Sequence, residues 1–527
     1  MSQKTFGIIA AGHQKTAEAG QQMFDEGGNA FDAAIASMLA SFVVESTLTS
    51  AAGGGFFLAH TKDKRNILFD FFSQTPRYKK PRSDIDFYPI DVNFGTQVQT
   101  FHIGMGSIAV PGNIAGVFEV HQKLGKLPFK LVAEPAINYA KNGFEISNFQ
   151  ALCINLLAPI LLELPESKKI YAPKGKLLAA GDICFMKDFA ATLTELADKG
   201  AKEFYQGDIA RQLVKDLSAG GYLTLEDLTN YRVITRSPLQ INYRGYELVT
   251  NPPPSSGGAL IGFALKLLEQ VDLEKIEFGS AEHLELLAQV MRLTNEGRKD
   301  GYDDRIYQDN IADRFLAAEH LQTYQNQLQN TVNKWGSTTH ISAIDNEGNA
   351  ASVTTTNGEG SSYVIPGTGI MLNNMLGEAD LNPLGFHNWE CDRRISSMMS
   401  PTIVLKNGTA ELVLGSGGSN RIRTAILQVI SNLLDFNLST ETAVKSPRVH
   451  WENNIFSVEQ PSVIDAIENV ILPESTQLVL WQEQNMFFGG VHAVRKTPEG
   501  IMEGAGDPRR EGVAIDAGER GSNDCYF

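Results

Sequence analysis

Hydrophobic and polar residues follow a helical period through much of this chain and form strand-like runs elsewhere. Apolar residues recur every three to four positions in segments 17–45, 112–124, 133–142, 189–199, 209–217, 260–270, 281–298 and 421–434. This spacing predicts amphipathic helices, and the glycines at 27–28 predict a stop and restart within the first one. Shorter apolar runs at 56–58, 66–71 and 411–414 are typical of buried strands.

Three polar stretches interrupt this pattern. Residues 200–208 predict a loop, and residues 310–335 predict a polar helix that leads into a mobile approach to Ser337. Exposed, flexible segments are where chains are most readily cut. Residues 415–420, with the sequence Gly-Ser-Gly-Gly-Ser-Asn, predict a loop between a strand and a helix. Its backbone N–H groups and the positive helix end would form an anion pocket, and simple flexibility is the alternative explanation of the composition.

A β-hairpin is predicted for residues 338–356. β-Branched and small residues fill both arms, and the segment between them, Asp345 to Asn349, has turn chemistry. If the first and last residues of this turn pair with each other, Thr338 lies directly opposite Thr356. The predicted pairing therefore places two hydroxyl groups on one face of the hairpin.

A threonine hydroxyl needs a base before it acts as a nucleophile. Neither histidine nor lysine forms an evident triad pattern around this hairpin. An N-terminal threonine can use its own α-amine, which titrates near ~7.7–8.0 and is partly neutral at physiological pH. We therefore hypothesise that the precursor is cut between Ser337 and Thr338, into chains of 337 and 190 residues. A purely structural threonine-rich strand is the alternative, because such strands are common.

Four ordered motifs stand in the second half of the chain. They are Thr-Thr-His at 338–340, the turn at 345–349, Gly-Thr-Gly-Ile-Met-Leu-Asn-Asn at 367–374 and Arg-Ile-Ser-Ser-Met-Met-Ser-Pro-Thr at 394–402. Together they resemble the motifs of the γ-glutamyltranspeptidase family of N-terminal-nucleophile hydrolases. The likeness extends from Ala11 to Arg510. It implies an α/β (α+β) fold, a four-layer α/β/β/α sandwich. Residues 1–337 would be the large-subunit region and 338–527 the small-subunit region of this one shared fold.

The resemblance also implies roles in catalysis. Thr338 is the expected nucleophile and Thr356 the residue that orients it through a hydrogen bond. The backbone N–H groups of Gly418 and Ser419 are the expected oxyanion hole, which would stabilise the charge that develops on the attacked carbonyl oxygen. The acyl group would then pass from Thr338 to water or to an acceptor amine.

Substrate binding is expected at further polar residues. The resemblance assigns the carboxylate end of the acyl donor to Ser396 and Ser397, for which a hydroxyl-capped turn is the alternative interpretation. Asn357 and Glu359 follow Thr356, which the predicted hairpin places beside the nucleophile, and they are predicted to line the pocket. The segment 374–396 is short and leaves little room for a lid loop, which predicts an open site.

Two positions depart from the family pattern. Phe72 stands where the family has an arginine for the α-carboxylate of the donor, and Gly377 stands where it has an aspartate for the α-amine. Charge-assisted hydrogen bonds are strong, so their loss puts γ-glutamyl specificity in question. Either Glu378 or Asp380 would replace the aspartate after a small shift of the chain.

Three functions therefore remain open. The first is an autoprocessing γ-glutamyltransferase or glutathione hydrolase that forms an acyl-enzyme on Thr338. The second is an acylase or amidase with another acyl donor, as in the related acylases that act on cephalosporin side chains. The third is an unprocessed binding protein, which would show an intact chain and no acyl-enzyme. Activity only on donors other than γ-glutamyl amides would separate the second function from the first.

Composition narrows the range of partners and cofactors. The formal charge of −16, from 45 basic and 61 acidic residues, opposes binding to nucleic acid or anionic lipid through a broad basic surface. The four cysteines form no CxxC pair and the ten histidines form no HExxH motif. The glycines at 53–55 are not followed by a phosphate-binding motif. We expect no metal and no cofactor, only a small amide donor, water or an amine acceptor, and a heterodimer of the two chains.

The N-terminal sequence lacks the features of a secretory signal. The apolar run from Phe6 to Ala11 is shorter than the hydrophobic region of a signal peptide. The run from Ala33 to Val44 is too short to span a bilayer. A cytoplasmic protein without membrane attachment is the expectation, although relatives in this family are often exported.

Overall fold

The computed structural model describes residues 4–93, 98–324, 337–382, 384–459, 464–473 and 475–518. The chain is continuous through Ser337 and Thr338, so the structure shows the protein before any cut at that bond. Among the helices of these ranges, none combines the length and the apolarity needed to cross a bilayer.

Most strands belong to two large antiparallel sheets. In chain order the strands are β1 (Gly7–Ala11), β2 (Gly54–His60), β3 (Asn66–Phe71), β4 (Tyr88–Asn93), β5 (Val98–Ile103), β6 (Phe144–Glu145), β7 (Ile183–Cys184), β8 (Ile234–Arg236), β9 (Leu239–Tyr243), β10 (Tyr246–Thr250), β11 (Thr339–Asp345), β12 (Ala350–Thr356), β13 (Thr402–Lys406), β14 (Thr409–Gly417), β15 (Val449–Glu452), β16 (Ile455–Glu459), β17 (Gln477–Trp481), β18 (Gly490–Lys496), β19 (Met502–Ala505) and β20 (Val513–Asp516).

Several helices pack on the outer faces of these sheets, and the others lie in the connections between strands. They are α1 (Gln14–Asp25), α2 (Ala30–Val44), α3 (Asn113–Leu124), α4 (Phe129–Asn142), α5 (Asn148–Leu156), α6 (Ala158–Leu161), α7 (Pro165–Tyr171), α8 (Lys187–Lys199), α9 (Lys202–Gln206), α10 (Asp208–Leu217), α11 (Leu225–Asn230), α12 (Gly257–Leu268), α13 (Ala281–Gly297), α14 (Ile311–Phe315), α15 (Ala318–Tyr324), α16 (Arg421–Leu434), α17 (Thr440–Lys445) and α18 (Ile464–Ile467).

The two large sheets lie face to face and are covered by helices on both outer sides. The first sheet has the strand order β20-β1-β11-β12-β2-β3-β8, and the second has the order β19-β18-β14-β13-β10-β9. Helices α1 to α4 share a hydrophobic core with the first sheet, whereas α12 and α16 share a second core with both sheets. This is the four-layer α/β/β/α sandwich that the resemblance implied.

Alternating side chains of the first sheet fill the two cores. Along β2, Phe57 belongs to the core beneath α2, whereas Phe56 and Leu58 point toward the second sheet. Successive side chains of a strand lie on opposite faces, so a strand between two layers can be apolar throughout. Helix α2 is buried over its whole length, which explains why its sequence is apolar on every side.

The predicted hairpin is confirmed, with its register. Strands β11 and β12 pair so that Thr339 lies opposite Thr355 and Ile344 lies opposite Ala350. Asp345 in the turn also accepts hydrogen bonds from the backbone N–H groups of Ala30 and Asn349, at 3.0 and 2.9 Å. The turn therefore caps the start of α2, which fixes the hairpin against the helical layer.

The predicted large- and small-subunit regions share both large sheets. In the first sheet, β11 and β12 from the region after Ser337 lie between β1 and β2 from the region before it. In the second sheet, β13 pairs with β10 across the same division of the chain. The two regions therefore form one fold rather than separate domains.

Two loop predictions were wrong in part. The segment 200–208 contains the short helix α9, which buries Phe204 and Tyr205 and so gains a reason to be helical despite its polar composition. The glycines and serine at 415–417 extend strand β14, because they pair with β18 opposite residues 490–492. In the predicted 310–335 helix the structure has α14 and α15, and residues 325–336 lie outside the described residues.

Candidate active site

Thr338 lies one residue before β11 and directs its hydroxyl at the preceding carbonyl group. Its Oγ1 donates a hydrogen bond to the carbonyl oxygen of Ser337 at 2.7 Å. The hydroxyl of Thr356 donates to the same oxygen at 2.6 Å. Both threonines were predicted to meet, and they do so at the carbonyl group of the proposed cut. A hydrogen bond between the two threonine side chains, as predicted for the cleaved enzyme, stays a prediction.

Ser337 is held on its other side by Glu359. The backbone N–H of Ser337 donates to Glu359 Oε1 at 3.0 Å, and its hydroxyl donates to Oε2 at 2.6 Å. Burial raises the pKa of the Glu359 carboxyl to about 6, although both hydrogen bonds favour its ionised form. The residue before the proposed cut is therefore fixed through its carbonyl, amide and hydroxyl groups at once.

Hydrogen bonds from Arg510 and to Glu45 hold the backbone at and directly after Thr338. Arg510 Nη1 donates to the carbonyl oxygen of Thr338 at 3.1 Å. The next residue, Thr339, donates its hydroxyl to Glu45 Oε2 at 2.5 Å, and Thr16 donates to the other oxygen of Glu45 at 2.6 Å. Burial raises the pKa of Glu45 above its usual value. These contacts leave the start of β11 little freedom to move.

A cavity of about 390 Å³ opens in front of Thr338. Its polar wall includes Ser337, Thr338, Thr356, Ser396, Ser397, Glu378, Asp380 and Ser419, and its apolar wall includes Phe72, Ile306, Met375, Leu381, Leu384, Trp389, Ile395, Met398 and Ile422. Concave sites with an apolar lining and a few convergent polar groups are the usual form of small-molecule sites. The position of the two threonines on this wall makes it the candidate active site.

The loop from Gly418 to Asn420 joins β14 to helix α16 beside Thr338. A Cβ atom added to the preceding Gly417 would lie 2.1 Å from the carbonyl oxygen of Thr338, which shows how closely the two backbones approach. Gly418 and Ser419 both have left-handed backbones, with φ of 120° and 50°. Among the described residues, no acceptor is present for the N–H group of either one. Of these two residues, Ser419 is the one that lines the cavity.

Glu378 and Asp380, the two residues that would replace the family aspartate after a small shift of the chain, lie on the cavity wall. Asp380 accepts a hydrogen bond from the hydroxyl of Ser419 at 2.6 Å. Glu378 accepts one from the backbone N–H of Glu359 at 3.1 Å. Burial, together with the nearby charges of Glu359 and Asp380, raises the pKa of Glu378 well above its usual value. The carboxyl groups of Glu378 and Asp380 thus line the same cavity as the proposed nucleophile.

Three residues that were predicted to bind substrate do not line the cavity. Asn357 is turned into the protein, where its Oδ1 accepts a hydrogen bond from the Ser50 hydroxyl at 3.0 Å. Glu359 contacts Ser337 instead. Gly377 is buried, and a Cβ atom there would lie 2.0 Å from the carbonyl oxygen of His102. The aspartate of the family pattern therefore has no room at this position.

Phe72 lies on the cavity wall as an apolar surface. Its ring stacks on that of Phe56, with the ring centroids 5.4 Å apart. The nearby Arg394 does not replace the missing arginine, because it is buried and donates to the carbonyl oxygen of Phe72 at 2.6 Å. Its guanidinium also pairs with Asp70. Arg394 therefore supports the wall from behind rather than facing a ligand.

Ser396 and Ser397 both reach the cavity, as predicted. The hydroxyl of Ser397 accepts a hydrogen bond from the N–H of Met399 at 3.1 Å, which is the turn contact of the alternative interpretation. Their role in donor binding stays a prediction. The exposed Arg305 lies on the same cavity wall, and sequence reasoning missed it because nothing in its local sequence connects it to residues 396–397.

No metal site is evident in the described ranges, where no group of three or more His, Cys, Asp or Glu side chains is arranged to hold an ion. The thiol of Cys153 is buried, and burial raises its pKa to about 12, so it is a poor nucleophile. The threonine pair remains the reactive feature of the site.

The sandwich, with a threonine at the start of a central strand and a candidate oxyanion loop beside it, defines an N-terminal-nucleophile hydrolase. The γ-glutamyltranspeptidase family model matches residues 16–517. The chain belongs to the γ-glutamyltranspeptidase family, and it is therefore an enzyme of the hydrolase and acyltransferase type.

Relatives within the family carry two kinds of name. The acylase ACY 1 proenzyme of Pseudomonas sp. (strain SE83) is 31% identical over 97% of this chain and 94% of its own length. The glutathione hydrolase proenzyme of Escherichia coli (strain K12) is 30% identical over 95% of this chain and 90% of its own length. The structure of cephalosporin acylase from Bacillus halodurans has the same fold, with a TM-score of 0.83, 23% identity and coverage of 97% of this chain and 96% of that one.

Proposed function

We propose that this protein is an autoprocessing γ-glutamyltransferase-like enzyme that uses Thr338 to transfer an acyl group from an amide donor to water or an amine. The observation that carries this proposal is the approach of the Thr338 and Thr356 hydroxyls to one carbonyl oxygen, on the wall of a cavity large enough for a small amide. Both named relatives are proenzymes, which supports a heterodimer of the two chains.

The first step is the cut itself. The Thr338 oxygen attacks the carbonyl carbon of Ser337, while Thr356 donates to the carbonyl oxygen on which negative charge develops. The carbon–nitrogen bond then breaks, the proton lost by the Thr338 hydroxyl passes to the Thr338 nitrogen, and Ser337 is left as an ester on the Thr338 oxygen. Water hydrolyses this ester, which gives Ser337 a carboxylate and Thr338 a free α-amine.

The catalytic cycle repeats this chemistry on a substrate. The α-amine of Thr338 accepts the hydroxyl proton as the hydroxyl attacks the donor amide. The N–H groups of Gly418 and Ser419 stabilise the oxyanion, and the protonated α-amine returns a proton to the departing amine. Water or an acceptor amine then attacks the acyl-enzyme and regenerates the free threonine.

A γ-glutamyl donor has charged groups that match the cavity wall. Glu378 provides a carboxyl group for its α-amine in place of the absent aspartate, and Asp380 lies on the same wall. Ser396, Ser397 and the guanidinium of Arg305 provide hydrogen-bond donors for its α-carboxylate. This set differs from that of the family pattern, in which an arginine binds the α-carboxylate and an aspartate binds the α-amine.

An acylase with a broader donor range is the second candidate. Phe72 presents an aromatic surface where the family has a cation, and the packing around Gly377 excludes an aspartate. The remaining wall is rich in leucine, isoleucine, methionine and tryptophan. These features favour an apolar acyl or leaving group, and the acylase name of one relative agrees with that preference.

Two measurements on the full chain test the proposal. The intact mass under denaturing conditions should show two chains divided after Ser337, and Thr338→Ala should give a single chain of 57.6 kDa. Initial rates with γ-glutamyl-p-nitroanilide and glutaryl-p-nitroanilide, which differ only in the α-amino group, then compare the candidates. Faster turnover of the γ-glutamyl donor supports the first, and turnover of the glutaryl donor alone supports the second. An uncut wild-type chain without activity on either donor contradicts both.

A further inference from the structure

Ser419 has an unusual backbone conformation for its residue type. Its φ of 50° lies in the left-handed region, where a side chain is disfavoured and glycine is the usual residue. The neighbouring Gly418, with φ of 120°, has no such restriction. Ser419 therefore needs a contact elsewhere that keeps it in this conformation.

Asp380 provides that contact from a separate segment of the chain. It lies in the single helical turn Ala379–Leu381, and its Oδ2 accepts the hydrogen bond of the Ser419 hydroxyl at 2.6 Å. A hydroxyl that donates to a carboxylate forms a strong, directional hydrogen bond. The side chain of Ser419 is thus fixed to the opposite part of the cavity wall.

Helix α16 fixes the carbonyl groups of the same loop. The N–H of Arg421 donates to the carbonyl oxygen of Gly418 at 3.0 Å, and that of Ile422 donates to the carbonyl oxygen of Ser419 at 3.1 Å. A trans peptide carries its C=O and the following N–H on opposite sides. The Ser419 N–H, which shares a peptide with the Gly418 carbonyl, therefore points away from α16.

We propose that Asp380 is a positioning residue of the oxyanion hole, which it holds in its working shape through the hydroxyl of Ser419. Two attachments then determine where the Ser419 N–H points, one from helix α16 to the backbone and one from Asp380 to the side chain. This inference rests on the proposed function, because it assumes that the loop stabilises an oxyanion formed at Thr338.

Asp380 also lines the cavity, so a direct contact with the α-amine of a donor is the competing role. The two roles predict different kinetics. A positioning role acts on the transition state of every donor and lowers kcat, whereas an amine contact acts only on donors that carry the amine. A glycine at position 419 adopts the left-handed backbone without help, so a positioning role should lose its importance in that variant.

The experiment compares Asp380→Asn, Asp380→Ala, Ser419→Gly, Ser419→Ala and the double variant Asp380→Asn with Ser419→Gly, all as full chains. For each, kcat and KM are measured with γ-glutamyl-p-nitroanilide and glutaryl-p-nitroanilide. Asp216→Asn is the matched control, since Asp216 accepts a hydroxyl hydrogen bond of the same 2.6 Å length from Tyr363 and does not line the cavity. Circular dichroism and thermal unfolding check that each variant is folded.

We expect Asp380→Asn to lower kcat by roughly 10- to 100-fold on both donors, with KM changed less than threefold. In the Ser419→Gly background the same substitution should cost less than about twofold, because glycine keeps the backbone in place. Ser419→Ala, which keeps the strain and loses the hydrogen bond, should be slower than Ser419→Gly.

Two outcomes overturn the inference. One is an equal loss from Asp380→Asn with and without Ser419→Gly, and the other is a loss confined to KM for the γ-glutamyl donor. If the Asp380 variants do not fold, the order of Ser419→Ala and Ser419→Gly decides, and a faster alanine variant refutes the proposal. A wild-type chain that is uncut and turns over neither donor refutes the proposed function instead, so the two failures are distinguishable.

Discussion

The carboxylate of Glu359 accepts hydrogen bonds from both the backbone N–H and the hydroxyl of Ser337, at 3.0 and 2.6 Å. This two-point contact restricts rotation of the residue whose carbonyl group is attacked. We predict that Glu359→Gln, which replaces one of the two acceptor oxygens by a donor, slows the cut by roughly 10- to 100-fold. The time course of the intact mass after purification measures it, and Glu359→Asp should recover part of the rate.

The same contact predicts a pH dependence of the cut. Because burial raises the pKa of Glu359 to about 6, its carboxyl gains a proton as the pH falls through that value and then accepts fewer hydrogen bonds. The rate of the cut should therefore rise as the pH increases through about 6, and Glu359→Gln should lack this rise. Glu378→Gln is the control for the neighbouring carboxyl group. A rise of equal size in Glu359→Gln would assign the effect to another group.

Thr356 should matter for the cut through its hydroxyl alone. Thr356→Val keeps the shape of the side chain and removes the group that donates to the Ser337 carbonyl oxygen. We predict a loss of roughly 10²- to 10³-fold in the rate of the cut, as for removal of one oxyanion donor, and near-normal cleavage for Thr356→Ser. The exposed Thr409→Val is the control for general effects of this substitution. Cleavage of Thr356→Val at the wild-type rate would show that the carbonyl group needs no such donor.

Gly377 should tolerate no side chain. An added Cβ atom would lie 2.0 Å from the carbonyl oxygen of His102, which requires the backbone to shift. Overpacking of a buried site costs about 1–3 kcal/mol, so both Gly377→Ala and Gly377→Asp should lower the melting temperature. Thermal unfolding of the two variants beside the wild type measures this. An unchanged melting temperature for Gly377→Ala would mean that the segment around His102 yields easily, and would reopen this position to an aspartate.

Asp345 should contribute to stability by joining the hairpin turn to helix α2. Asp345→Ala removes the acceptor of the Ala30 and Asn349 N–H groups, which are buried. We predict a loss of about 2–4 kcal/mol in the free energy of unfolding. Urea denaturation measures it in the uncut Thr338→Ala background, where the protein unfolds as a single chain. The exposed Glu347→Gln in the same turn is the control and should change stability by less than about 0.5 kcal/mol.

Helices and strands could be predicted where turn residues or apolar runs in the local sequence determine them. The turn residues after Asp345 set the register of β11 and β12, in which Thr339 lies opposite Thr355. The meeting of Thr338 and Thr356 at one carbonyl oxygen could therefore be predicted from the sequence. Helix α2 and strand β3 followed from apolar runs with clear ends. The strand at residues 415–417 could not be predicted from the local sequence, because this glycine-rich segment becomes a strand only by pairing with β18.

The candidate site was predictable only in part. Its nucleophile and its oxyanion loop stand in motifs, whereas the remaining wall comes from the segments 303–308 and 375–399, which meet only in the folded chain. Proximity in sequence misled at Asn357, whose side chain is turned away from the cavity toward Ser50. The Asp380 contact with Ser419 had no signal in either local sequence, because it depends on the left-handed backbone of residue 419.

Because both large sheets contain strands from both regions, we expect the cleaved protein to refold less readily than the uncut precursor. Strands β11 and β12 form between β1 and β2 while one covalent chain holds them at a high effective concentration. Cleavage after Ser337 removes that tether and leaves the strand hydrogen bonds unchanged. If the cleaved enzyme unfolds, its two chains must find each other in solution before the first sheet can close, so recovery becomes dependent on protein concentration. The mature enzyme would then retain its structure because it unfolds slowly. The covalent link that assisted its assembly is no longer present.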